Sequence, residues 1–141
     1  MTRKSAWRFL AAALLAAVAS AALIHHRTRA EQAGVRDREH YIEHQGRQRK
    51  YVVHVPRGYD GRSPLPVVVA LHGGASNAAT MQRQSRLNET ADRHGFLVVY
   101  PEGTGRLRNH LLTVNAGSCC GYAVTNKIDD VGFIRKMLDE L

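Results

Sequence analysis

Leu65-Pro66-Val67-Val68-Val69-Ala70-Leu71-His72-Gly73-Gly74 is the stretch that decides the fold. Five apolar residues run unbroken from Val67 to Leu71, beginning with three β-branched valines, before a histidine and two glycines. A short unbroken apolar run predicts a strand buried on both faces, as in a parallel sheet covered by helices. Its end at His-Gly-Gly puts permissive backbone at the carboxyl edge of the sheet, where open α/β sheets bind ligands. Without a Cβ, glycine lets backbone N–H groups approach a ligand closely.

Working outward, Ala75-Ser76-Asn77-Ala78 carries residues that cap a helix. Met81, Ser85, Leu87 and Ala91 predict helix over roughly 83–94, with Gly95 as its C-cap. Phe96-Leu97-Val98-Val99-Tyr100-Pro101 is a second buried strand, so Val67–Tyr100 has the length of a parallel strand–helix–strand crossover. Upstream, Tyr51, Val53 and Val55 alternate with Lys50, Val52 and His54, which predicts a half-buried strand ending at Pro56. A strand over 38–43 pairs with it through a turn at Gln45-Gly46. His54 is expected to face solvent or a neighbouring strand rather than a ligand. Beyond the second buried strand, 102–127 holds Gly103, Gly105, Gly117 and Gly121 without a sustained period. A loop this long is usually functional, and it leaves the strand end that should share a crevice with Gly73-Gly74. Asp129 or Asp130 then caps a last helix whose apolar positions are Val131, Ile134, Met137 or Leu138, and Leu141.

The net charge of +8 suggests nucleic acid until its distribution is followed. Residues 1–30 hold five of the 20 basic residues and none of the 12 acidic ones. The remainder is nearly balanced, and its few aromatics do not alternate with Lys or Arg as on a single-strand-binding surface. Nucleic acid is therefore excluded as the expected partner. Arg3, Lys4 and Arg8 precede an Ala/Leu-rich stretch from Phe9 to Ile24 with small-x-small patterns at Ala17-Val18-Ala19 and Ala19-Ser20-Ala21. This is an export signal over 1–24, or, uncleaved, a membrane anchor, although it is shorter than the ~20 residues of a spanning helix. Any membrane contact runs through residues 9–24, and the expected location is extracellular or periplasmic. Residues 25–40 read as a polar linker. Its His25-His26 pair lacks a third ligand, so no metal site is predicted. Export permits disulfides. Adjacent cysteines such as Cys119 and Cys120 rarely bridge each other, so they are expected as thiols or with one bonded outside the chain.

His72-Gly73-Gly74 after a buried strand resembles the oxyanion-hole loop of α/β-hydrolases. There a backbone N–H stabilises the negative oxygen of a tetrahedral intermediate by about 3–4 kcal/mol. Gly74 is the expected donor, Gly73 allows the turn, and His72 braces the loop without acting as the base. Taken in order, Tyr51–Pro56, Pro66–Gly74, Ala91–Gly103, Asn115–Gly121 and Ile128–Ile134 look like successive blocks of one family. The chain from about Tyr41 onward resembles secreted polyhydroxybutyrate depolymerase-like and feruloyl esterase-like enzymes. The resemblance implies an α/β fold, specifically the amino-terminal part (41–141) of an α/β-hydrolase: a three-layer parallel-sheet sandwich truncated before the nucleophile elbow. It implies a Ser-His-Asp mechanism on a polyester or polysaccharide-linked acyl ester, with no cofactor. Asn115, Cys119 and Cys120 are expected to line the crevice.

The chain departs from that pattern at Val114, where the family usually has Trp. It also contains no Gly-x-Ser-x-Gly elbow, so none of the triad is expected within it. Ser76 and Ser118 lack the flanking glycines, and Asp129 and Asp130 are better explained by capping. The expectation is thus an esterase by family that is inactive as this chain alone. The alternatives are a noncatalytic membrane-anchored module binding an acyl or sugar group, and one half of a split enzyme.

Overall fold

The computed structural model describes residues 36–141. The stretch read above as an export signal or anchor, and the expected linker as far as Val35, lie outside the described residues. The elements in order are β1 (Asp37–His44), β2 (Arg47–His54), β3 (Val67–Val69), α1 (Ala78–Ser85), α2 (Leu87–His94), β4 (Leu97–Pro101), α3 (Gly121–Thr125) and α4 (Asp130–Asp139). The strands form one sheet in the order β1-β2-β4-β3.

The hairpin closes where the sequence places it. β1 and β2 pair antiparallel from Asp37↔His54 to His44↔Arg47. Gln45 and Gly46 both take positive φ, 49° and 70°, which matches the right-handed twist of the strands. Residues 37–40, read above as the end of the linker, are the start of β1. β2 also pairs antiparallel with β4, so only β3 and β4 are parallel and the sheet is mixed rather than all-parallel.

The sheet is the middle of three layers. On one face Tyr51, Val53 and Val99 pack against Phe133 and Met137 of α4. On the other, Val52, Val98 and Tyr100 pack against Ala78 of α1 and Ala91 of α2. β2 therefore buries both faces at its second half, rather than one as the alternation suggested. Val98, Val99 and Tyr100 are fully buried. Side chains of this size stabilise a fold by about 1.5–3 kcal/mol each when removed from water.

Three expectations need correction. The helix between the parallel strands is two helices. Asn77 accepts a bond from the Thr80 N–H at the start of α1, Arg86 breaks the run at φ 54°, and α2 ends at Gly95, whose N–H reaches the Ala91 carbonyl. β3 is not buried on both faces: Val67 is 39% and Leu71 43% exposed. It is the last strand in the sheet order, and the helical layers reach only Val69 on one face and Ala70 on the other. Of the apolar positions expected in the last helix, Met137 is buried and Ile134 packs on the core, but Asp130 and Phe133 are buried beside them, while Val131, Leu138 and, beyond the helix, Leu141 are exposed. The helix turns this face inward because Asp130 meets a buried arginine.

Candidate functional site

β3 and β4 are parallel, so both release their chains at the same crest of the sheet. β2, antiparallel to β4, enters at that crest, and the Glu102 N–H donates to the Lys50 carbonyl there at 2.9 Å. His72 lies between the two strand ends and is buried. Its Nδ1 lies 2.8 Å from the Gly73 carbonyl, and the Gly103 N–H lies 3.0 Å from its Nε2. One neutral tautomer satisfies both contacts, with Nδ1–H donating and Nε2 accepting. Both ring nitrogens are thus committed to holding the two loops together.

The glycines of these loops differ. A Cβ on Gly103 would lie 2.6 Å from the Thr113 carbonyl oxygen and 2.8 Å from His72 Nε2. The loop that follows is folded back on itself by paired bonds between Thr104 and Thr113, both 2.9 Å, and Leu112 N–H donates to the Ser76 carbonyl. Gly73 and Gly74 are exposed, and a Cβ on either would meet nothing within 4 Å. Neither has positive φ. The left-handed position is Ala75, at φ 59°, so the turn is made one residue beyond the glycines and Gly73 is not what allows it.

A buried ion pair fixes the same crest from below. Arg49 Nη2 donates to Asp130 Oδ1 at 2.5 Å and to the Glu102 carbonyl at 3.1 Å. Its guanidinium lies 4.0 Å over the Phe133 ring. The other Asp130 oxygen accepts the Asn115 N–H at 2.7 Å. Asp129 is the helix cap, accepting from the Gly132 N–H, which frees Asp130 for this pairing. Glu102 Oε1 accepts the Ala78 N–H at the start of α1, where the helix dipole favours a carboxylate. Sequence reasoning missed Arg49 and Glu102. The available signal was the adjacent acid pair, since two neighbouring aspartates do not both cap one helix.

Asn115 is half-buried, and its side chain is engaged within its own loop: Nδ2 donates to the Ile128 carbonyl and Oδ1 accepts the Gly117 N–H. The side chains of Cys119 and Cys120 lie against each other within their own loop. Of the two surroundings expected for His54, solvent or a neighbouring strand, it takes the strand. It is 5% exposed, with Nδ1 2.6 Å from Asp37 and Nε2 3.2 Å from Asp92. This cluster lies at the end of β2 opposite the crest. Burial pulls the Asp92 carboxyl upward, but the Arg57 N–H, His54 and Arg36 outweigh it and hold its pKa below the ordinary value.

Two of the grooves among the described residues open beside these loops. One, of about 440 Å³, is lined by Arg106, Leu107, Leu111, Tyr122, Thr125 and Asn126. The other, of about 670 Å³, runs along the crest beside Lys50, Glu102 and Gly103. Gly73 and Gly74 line neither. Among the described residues, the histidines bonded to side chains meet only Asp129, Asp37 and Asp92, so no serine, threonine or cysteine is paired with a base. No three His, Cys, Asp or Glu side chains among them converge to hold a metal ion. No helix among them is long and apolar enough to cross a membrane. Chemically, the crest offers exposed backbone donors on a braced loop and no assembled nucleophile.

Residues 49–121, more than half the chain, match the family model described as esterase PHB depolymerase. No curated protein matches the chain. Among solved structures, native pOPH is 24% identical over 49% of this chain, at a TM-score of 0.39. The match covers 21% of that structure's chain, so this chain spans about a fifth of its length. A ferulic acid esterase is 15% identical over 72% of this chain and 42% of its own, at a TM-score of 0.49.

Proposed function

The chain belongs to the esterase PHB depolymerase family, and on that premise we propose that it serves an exported carboxylic-ester hydrolase as the oxyanion-stabilising half of the site. The substrate is an ester, either a polyester or an acyl group linked to a polysaccharide. In the reaction, a base-activated serine attacks the ester carbonyl and the carbonyl oxygen becomes an oxyanion. The Gly74 N–H, on the strand end carried by β3, donates to that oxygen. Donors of this kind stabilise the transition state by about 3–4 kcal/mol each. His72 is a positioning residue, holding the Gly73 carbonyl and the Gly103 N–H so that the loop does not have to organise during the reaction. The family match across 49–121, which includes this loop, carries the reading. The open space around Gly74 supports it, because a substrate carbonyl must approach from there.

The sequence holds no Gly-x-Ser-x-Gly elbow, and among the described residues no serine is bonded to a histidine. The purified chain is therefore expected to hydrolyse p-nitrophenyl acetate no faster than a heat-treated control. The donor role is tested by grafting residues 49–121 into an active family member in place of its own matching segment. Gly74→Pro removes the N–H and is expected to lower kcat about 10²–10³-fold with KM little changed, while Gly74→Ala keeps the donor. An unchanged kcat in a Gly74→Pro graft that melts like the parent would sink the assignment.

A further inference from the structure

We propose that the larger groove, between the start of β2 and the loop after β4, binds a carboxylate carried on a chain molecule. The groove holds about 670 Å³, and its walls include Arg47, Lys50, Glu102, Thr104, Arg108 and Asn109. Most of its charge is internally matched. Lys50 Nζ lies 2.9 Å from Glu39 and 3.8 Å from Glu102. Arg49, also in the wall, is neutralised by buried Asp130.

Arg47 and Arg108 are different. Both are exposed, and neither has a carboxylate within 4.0 Å among the described residues. Beside them, Thr104 Oγ1 is buried with no hydrogen-bond partner. A guanidinium presents a planar fork that fits a carboxylate through two parallel bonds. The flanking Glu39 and Glu102 oppose a multiply charged anion, so a single carboxylate on a neutral chain fits better than a phosphate. Two sources share this chemistry: the free acid end of a hydroxy-acid oligomer, and a uronic acid on an oligosaccharide.

Calorimetry on the full chain separates them. The probes are a 3-hydroxybutyrate trimer and a uronic-acid-bearing oligosaccharide, each as the free acid and as its neutral methyl ester, with inorganic phosphate as a further arm. At least one free acid is expected to bind saturably, its ester at least tenfold more weakly, and phosphate weakly. R47Q and R108Q are each expected to weaken binding about tenfold and the double variant to abolish it; their thermal transitions should stay in place because both residues are exposed. Whichever acid binds identifies the source. Equal affinity for acid and ester, equal affinity for phosphate, an unaffected double variant, or no binding at all would each overturn the proposal. The readout is binding without turnover, so its failure leaves the Gly74 graft untouched, and failure of the graft leaves this result standing.

Discussion

The loops that leave the two parallel strands look alike in sequence and differ in structure. After β4, Glu102-Gly103 is enclosed: a Cβ at Gly103 has no room, and the glycine carries a bond to buried His72. After β3, Gly73-Gly74 is open: a Cβ has room at both positions, and neither backbone needs glycine's conformational freedom. Internal packing therefore accounts for the first glycine and not for the second pair. Where neither sterics nor φ within a chain calls for glycine, the remaining physical use is clearance for something that approaches from outside.

The contrast can be broken at several points. The largest effect is expected at the buried pair under the enclosed loop. Asp130→Ala leaves the Arg49 charge, 3% exposed, without its partner and should cost about 3–5 kcal/mol in urea unfolding. A loss below ~1 kcal/mol would mean that the pair does not support the crest. Next, Gly103→Ala should cost about 1–3 kcal/mol through overpacking, with the His72 ring resonances shifting in the same sample. A silent Gly103→Ala would erase the distinction between the loops.

Acid should weaken the opposite end of the sheet, at Asp92. Asp92 has a folded pKa below its unfolded value of about 3.9. Its contribution is therefore complete above that value and is lost as pH falls through the lower folded value. Asp92→Asn should flatten the fall in stability below about pH 4, measured by thermal melts across pH. The smallest effect is expected for Gly74→Ala, within about 0.5 kcal/mol of the parent in urea unfolding. A large loss there would assign Gly74 to packing and remove the argument from clearance.

What the residues disclosed in advance was governed by short range. The Gln45-Gly46 turn, the Asn77 and Asp129 caps, the Gly95 stop and the strand–helix–strand unit all depend on neighbours a few positions away. His72 drew attention in the same way, as a histidine at a strand end beside two glycines, and it bonds to Gly73 and Gly103. The misses were long-range. Arg49 finds Asp130 81 residues later, and no local period announces it. That pairing in turn rotates α4, which is why Phe133 is buried and Val131 is not. His54 does meet the neighbouring strand, as one of its two expected surroundings, through Asp37; the partner that went unforeseen is Asp92, 38 residues later on a helix. Val67 and Val68 have the composition of a core strand, but burial belongs to whatever lies on each side, and composition does not carry that.

The position of β3 has one more consequence. Ala70 N–H donates to Val99 and the Pro66 carbonyl accepts from Leu97, so even-numbered residues of this segment turn their backbone toward β4. The amides of Val67, Val69 and Leu71 turn the other way, to the sheet edge. In deuterated water the strand should therefore exchange in a two-beat rhythm, slow at Val68 and Ala70 and fast at Val67 and Val69. Any strand that docks against this edge would silence the fast beat.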